Sequence, residues 1–194
     1  MTTGPSGVDV ATLDVATLDV APAREAVAAM APLFEGAPGF LWRLAAARPF
    51  GTPDQLFRRA RNVAHNMPEP LQIELIDAHA RLGAPPASMS ALSFREQGYD
   101  AEAAEGLASE AARERDRVAA ELDRLNREYE ARFGFRYCVF VAGRARAALL
   151  PGFETAFAQD REDELHRAID AVIDIARDRA ASAAGPVASS TVSP

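Results

Sequence analysis

The stretch from Leu107 to Arg132, LASEAARERDRVAAELDRLNREYEAR, decides the fold class of this 194-residue chain. It continues for about seven helical turns without a proline or a glycine. Apolar side chains recur on one side at helical spacing, at Val118, Leu122, Leu125 and Tyr129. Glutamate and arginine occupy the opposite side, and Gly134 follows as a C-terminal cap. The pattern predicts one long amphipathic helix.

Shorter helical patterns lie on both sides of this segment, separated by proline and glycine. They cover residues 24–35, 39–47, 53 onward, 71–80, a stretch near 93, 146–157 and 162–179. Thr52 and Pro53 are typical of a helix start, because threonine caps the helix and proline takes its first position. Phe135 to Val141 is the only strand-like segment, and without a partner strand we expect a buried connector that is extended or briefly helical. We therefore predict an all-α single domain of about seven or eight helices.

Both ends of the chain have biased composition. Residues 9–13 and 14–18 are identical copies of DVATL, and residues 19–21 begin a third. A period of five residues is too short for a solenoid repeat. We expect residues 1–22 to form a flexible extension, residues 23–180 the helical domain, and the alanine- and serine-rich residues 181–194 a flexible tail.

Composition and charge exclude several classes of function. The net charge of -7 and the pI near 5.0 leave no basic surface for nucleic acid. One cysteine and three histidines supply a zinc site poorly, so we expect no metal. The sequence contains neither a membrane-spanning apolar run nor a signal-peptide pattern. We expect a cytoplasmic protein.

Three segments contain polar residues suited to proton transfer or ligand binding. His79 ends the fourth predicted helix, where a core histidine is also expected. Ser93 and Glu96 have the spacing of a capping box. The aromatic residues around Asn126 and Tyr129 fit packing at a helix end. Each segment taken alone therefore has a purely structural interpretation.

The joint order and spacing of these segments resembles the 2-oxo-4-hydroxy-4-carboxy-5-ureidoimidazoline (OHCU) decarboxylases of purine catabolism. The resemblance extends from about Phe34 to Arg179. It is carried by six elements: Arg48-Pro49-Phe50, the His79 loop, Ser93 with Glu96 and Gln97, Leu125-Asn126-x-x-Tyr129, Phe133-Gly134-Phe135, and Ile175-Ala176-x-x-Arg179. It implies an all-α fold, often a homodimer, that uses neither a metal nor an organic cofactor.

The resemblance also implies roles for individual residues. His79 and Glu96 match the family's catalytic pair, and Ser93 and Gln97 match positions that hold the substrate. Two further residues match backbone contacts to the ring, Tyr137 and Val139. The implied enzyme is a carboxy-lyase that converts OHCU to (S)-allantoin in urate degradation. Because the ring imine can accept the electrons left by carbon dioxide, the protein must supply orientation and proton transfer. Which of the catalytic pair is acid and which is base stays open.

The sequence departs from the family pattern at two places. The family's His-Pro is His79-Ala80 here, which removes a conformational restraint. The family's Arg-Leu-x-Asn element, whose arginine is a substrate-binding or catalytic group, begins with Ala156 here. Arg161 is a candidate replacement, as are Arg144 and Arg146. Two alternatives therefore remain open: a related, modified heterocyclic acid as substrate, and a noncatalytic helical binding module.

Overall fold

Helices make up all the regular secondary structure in the part of the chain that the structure describes. The computed structural model describes residues 14–85, 89–98 and 109–183, with side chains from residue 112 onward in the last range. The α-helices in these ranges are α1 (Val15–Val20), α2 (Ala23–Met30), α3 (Pro38–Ala46), α4 (Pro53–Asn66), α5 (Glu69–Asp77), α6 (Ala91–Glu96), α7 (Ser109–Phe133), α8 (Leu150–Phe157) and α9 (Arg161–Ala183). Two 3-10 turns cover Ala31–Phe34 and Arg146–Leu149. The predicted all-α class is confirmed.

Helix α9 lies at the centre of the fold and packs against α4, α5, α7 and the first 3-10 turn. Its first turn holds three acidic residues, Glu162, Asp163 and Glu164, which interact favourably with the helix dipole. Its buried side includes Leu165, Ala168, Ile169, Val172, Ile173 and Ala176. This helix therefore connects the elements that surround the site described below. Among the described residues, no helix has the length and apolar composition required to span a membrane.

The long helix and its apolar stripe are as predicted. Helix α7 is 25 residues long, and Val118, Leu122, Leu125 and Tyr129 are buried. The helix start predicted at Thr52 is also confirmed, since its hydroxyl accepts from the Gln55 N–H at 3.2 Å. Amphipathic period and capping chemistry were sufficient to place these two elements.

The chain after α7 is extended and buried, and it pairs with no strand in the described part of the chain. Its own Phe135 and Tyr137 pack with four aromatic rings of α7 and α8, those of Tyr129, Phe133, Phe153 and Phe157. Gly152 allows the close approach of Tyr137, because a Cβ there would lie 2.5 Å from the Tyr137 hydroxyl oxygen. We call residues 135–141 the connector. Of the two predicted conformations, extended or briefly helical, the connector does not adopt the helical one.

The structure corrects the predicted flexibility of residues 14–22. Asp14 caps α1, and Val15 and Leu18 are buried in the core. The Asp19 carboxylate accepts from the backbone N–H groups of Phe50 and Gly51, both at 2.7 Å. The repeat thus contains a short amphipathic helix that has its own cap. Its biased composition did not indicate this helix. Residues 1–13 and 184–194 of the two predicted flexible ends lie outside the described residues.

Candidate active site

A small cavity of about 40 Å³ brings together three segments that are distant in the sequence. The loop after α5 contributes His79, α6 and the residue after it contribute further polar groups, and the connector closes one side. Six of the seven predicted site residues line this cavity: His79, Ser93, Glu96, Gln97, Tyr137 and Val139. Within the described ranges, no three histidine, cysteine or acidic side chains converge as metal ligands would.

His79 presents a free ring nitrogen at the cavity. Its Nδ1 lies 3.3 Å from the Leu75 carbonyl oxygen, which can only accept, so Nδ1 carries the proton. Its Nε2 is buried and has no hydrogen-bond partner among the described residues. Burial, together with the positive charge of Arg179, lowers the pKa of His79 from 6.5 to about 4. At neutral pH the ring is therefore uncharged, and Nε2 has a lone pair available to accept a proton.

Ser93 is not the helix cap that its spacing to Glu96 suggested. Ser90 caps α6, and its hydroxyl oxygen accepts from the Ser93 N–H at 3.1 Å. Ser93 lies inside the helix, is 4% exposed, and donates its hydroxyl proton to Glu35 Oε1 at 2.9 Å. Because the hydroxyl proton is already donated to Glu35, the Ser93 oxygen can only accept hydrogen bonds from a ligand.

Glu35 is a site residue that the sequence did not reveal. Its Oε1 accepts from the hydroxyl groups of Ser90 and Ser93 and from Arg179 Nη2, at 2.8, 2.9 and 2.8 Å. Although burial favours the neutral acid, Arg179 and the two hydroxyl groups lower the pKa of Glu35. The residue adopts a left-handed backbone conformation, with φ of 49°. A non-glycine residue in this conformation is uncommon and is found at functional sites.

Arg179 is the second residue that was missed, and it fixes Glu96. Its side chain is 1% exposed, and its Nε and Nη2 bond both oxygens of Glu96, at 2.6 and 2.8 Å. Its Nη1 donates to the carbonyl oxygens of Pro32 and Leu33, each at 3.2 Å. All three guanidinium nitrogens therefore bond the protein itself. The Glu96 carboxylate is held in one orientation at the cavity wall.

Gln97 supports the histidine loop. Its Oε1 accepts from the Gly83 N–H at 2.7 Å, and its Nε2 donates to the Arg81 carbonyl at 3.1 Å. Asn126 Nδ2 donates to the Leu82 carbonyl at 2.9 Å. Both ends of the Gln97 amide are thus used within the protein, and each retains one hydrogen-bonding position for a ligand.

The missing proline after His79 is compensated by Arg136. Its Nη1 donates to the carbonyl oxygens of Asp77 and His79, at 2.6 and 2.8 Å. The Arg136 N–H also donates to the Asp77 carboxylate at 2.9 Å. The loop is therefore fixed by side chains from outside it, which replaces the restraint that a proline ring would supply.

Neither Arg161 nor position 156 belongs to the cavity. Arg161 donates to the Phe133 carbonyl and to Glu69, at 2.9 and 2.7 Å, and its guanidinium lies over the Phe135 ring. Ala156 is 2% exposed on α8 and does not line the cavity. The suggestion that Arg161 replaces a missing arginine is therefore wrong: the guanidinium of the site is that of Arg179. Its sequence signal was an arginine in register with the buried Val172, Ile175 and Ala176.

Comparison with known proteins identifies relatives of this chain. The sequence model of a family described as OHCU decarboxylase matches residues 19–181. The uric acid degradation bifunctional protein PucL of Bacillus subtilis (strain 168) is 30% identical over 149 residues, which are 77% of this chain. Those residues correspond to only 28% of the PucL protein, so this chain spans about a quarter of its length.

Two crystal structures share the fold. An OHCU decarboxylase in the presence of (S)-allantoin has a TM-score of 0.54 and 21% identity, covering 76% of this chain and 91% of that chain. An (S)-allantoin synthase has a TM-score of 0.59 and 18% identity, covering 88% of this chain and 54% of that chain. At these identities the likeness concerns the arrangement of helices.

Proposed function

The chain belongs to the OHCU decarboxylase family, and from that premise we propose that it decarboxylates OHCU to (S)-allantoin. One observation carries the proposal. A neutral histidine, His79, and a carboxylate held by Arg179, Glu96, line one cavity. Packing alone does not require an unpartnered histidine nitrogen beside a buried ion pair.

The reaction requires one group that accepts a proton and later returns it. Loss of carbon dioxide breaks the bond between the carboxylate and C4, and the electron pair forms a C4=C5 double bond while the ring imine nitrogen takes up a proton from water. The hydroxyl proton on C4 is then removed, a carbonyl forms at C4, and C5 takes up a proton. Nε2 of His79 is suited to accept the hydroxyl proton, because the ring is uncharged and this nitrogen has no hydrogen-bond partner among the described residues. The imidazolium formed in this way can return the proton to C5.

Glu96 suits a different role from His79. Since both of its oxygens bond Arg179, the carboxylate is held in one orientation and acts as a hydrogen-bond acceptor. It can accept hydrogen bonds from ureido N–H groups, while the nearby Glu35 carboxylate favours the imidazolium of His79. The Ser93 oxygen, which can only accept, favours a ligand N–H in the same way. This division assigns His79 as the base and Glu96 as a fixed anionic acceptor.

The enclosed part of the cavity, about 40 Å³, is smaller than the substrate. A ring that carries a carboxylate and a ureido group is several times larger. Helix α6 is only six residues long, and its Glu96 side chain is 28% exposed. We infer that displacement of α6 admits the substrate.

The other proposals concern the substrate, assembly and location. The alternative of a modified substrate rested on Ala156, which does not line the cavity, so OHCU is preferred. Homodimerisation and a cytoplasmic location are proposals that rest on the family resemblance and on composition. Sedimentation of the purified chain tests the first of these, and fractionation of the source cells tests the second.

The test is to generate OHCU from urate in the cuvette and to follow optically active allantoin by circular dichroism. The wild-type protein should form (S)-allantoin well above the spontaneous rate, whereas His79→Ala and Glu96→Ala should lose at least about 99% of that rate. His65→Ala is the matched control, because His65 lies on α4 and bonds Asp170 away from the cavity. If the wild-type protein leaves only the slow racemic reaction, the proposed function is wrong.

A further inference from the structure

The peptide bond between Cys138 and Val139 is held from one side by a half-buried arginine. Arg167 Nη1 on α9 donates to the Cys138 carbonyl oxygen at 2.9 Å. Its guanidinium also lies over the Tyr137 ring, 5.1 Å from the ring centre. Arg167 therefore contacts two residues of the connector, both of which line the cavity.

Arg167 is itself fixed by the buried Glu164, which Tyr129 also bonds. Its Nε lies 2.8 Å from each carboxylate oxygen of Glu164, which is 0% exposed. The Tyr129 hydroxyl donates to Glu164 Oε1 at 2.6 Å. Burial and the bond to Glu164 raise the pKa of Tyr129, so its hydroxyl keeps the proton that it donates. The guanidinium thus has a single well-defined position below the connector.

Because the Cys138–Val139 peptide is trans, the position of Arg167 determines the direction of the Val139 N–H. The carbonyl of one residue and the N–H of the next lie in one plane and point in opposite directions. Because the Cys138 carbonyl points at Arg167, the Val139 N–H points away from Arg167. Val139 lines the cavity, and its N–H donates to no acceptor in the described part of the chain.

We infer that Arg167 is a positioning residue that aims the Val139 N–H at the substrate, so that this backbone group donates a hydrogen bond to a carbonyl oxygen of the ring. The bond from Arg167 also polarises the peptide, which makes the N–H a stronger donor. Arg167 touches no reacting atom and acts only through the connector. The inference rests on the proposed function and adds a determinant of ring orientation to it.

The test compares variants of two arginines on the same helix. Arg167→Met removes the hydrogen bond to Cys138 but leaves Glu164 buried without its cation, which endangers folding. The double variant Arg167→Met/Glu164→Gln removes that charge and keeps an acceptor for Tyr129. Arg177→Met is the control, because Arg177 pairs with Asp54 on the exposed side of α9.

In the double variant we expect KM for OHCU to rise about tenfold and the excess of (S)-allantoin to fall, because the ring is no longer fixed in one orientation. Enzyme concentration is adjusted so that every variant turns over OHCU at the same total rate, which removes the effect of the spontaneous racemic reaction. A merely less stable protein would lower the rate without changing the enantiomeric excess. Arg177→Met should match wild type in both quantities.

Binding is followed separately by NMR of protein labelled with ¹⁵N-valine and titrated with (S)-allantoin, the Val139 signal being assigned with Val139→Ile. In wild type the Val139 amide should shift more than the other valines, and in the double variant this shift should be lost. Unchanged KM, enantiomeric excess and amide shift in a folded double variant would overturn the inference. An inactive wild-type protein would instead refute the proposed function.

Discussion

The ion pairs of α7 and the pair between Arg179 and Glu96 use the same kinds of side chain in opposite surroundings. On α7, Arg124 bridges Glu121 and Glu128, and all three side chains are between 41% and 52% exposed. The Arg179 side chain is 1% exposed and bonds two carboxylates, one hydroxyl group and two backbone carbonyls. Water screens the exposed ion pairs of α7, so they do not determine the position of any group beyond the helix surface. The buried Arg179 pair determines the positions of groups at the cavity.

Removal of Arg179 should produce the largest effect. Arg179→Met leaves Glu35 and Glu96 close together without their shared cation. We expect the free energy of unfolding to fall by about 3 kcal/mol, since breaking a buried ion pair leaves uncompensated charge. We also expect decarboxylation to fall at least about a hundredfold, because Glu96 loses its fixed orientation. Urea unfolding and the circular dichroism assay measure the two effects.

The control for this prediction is Arg177→Met, two residues earlier on the same helix. Its pair with Asp54 has exposed side chains, 60% and 68%. The stability and the activity of this variant should stay close to wild type. An active Arg179→Met protein would show that the buried pair does not organise the cavity.

The exposed pairs should produce the smallest effect. In Arg124→Ala both glutamates remain in water, so neither charge becomes buried. We expect the urea midpoint and kcat/KM for OHCU to match wild type within measurement error. A clear loss of activity in this variant would break the contrast between the two regions.

The fold was predictable where local chemistry determined it. The apolar stripe of α7 and the Thr52-Pro53 start of α4 each depend on residues within one helix. The same reasoning failed at α1, because the two DVATL copies and the partial third copy hide the cap at Asp14 and the buried Val15 and Leu18. Biased composition therefore does not by itself indicate a flexible segment.

The site was predictable only in part, for a physical reason. The resemblance placed His79, Ser93, Glu96 and Gln97, and all four line the cavity. Local spacing gave no signal for Glu35 and did not reveal the partners of Arg179, because 144 residues separate these two residues and tertiary packing brings them together. The same packing shows that Ser93 is an acceptor and that Gln97 supports a loop, roles that depend on partners far away in the sequence.

The central claim is that the cavity holds His79 uncharged, with Nε2 free to accept a proton. NMR of ¹⁵N-histidine-labelled protein tests it most directly, with the His79 signals assigned by comparison with His79→Gln. We expect a protonated Nδ1 and an unprotonated Nε2 at neutral pH, with titration only near pH 4. An imidazolium, or a proton on Nε2, at neutral pH would contradict the account.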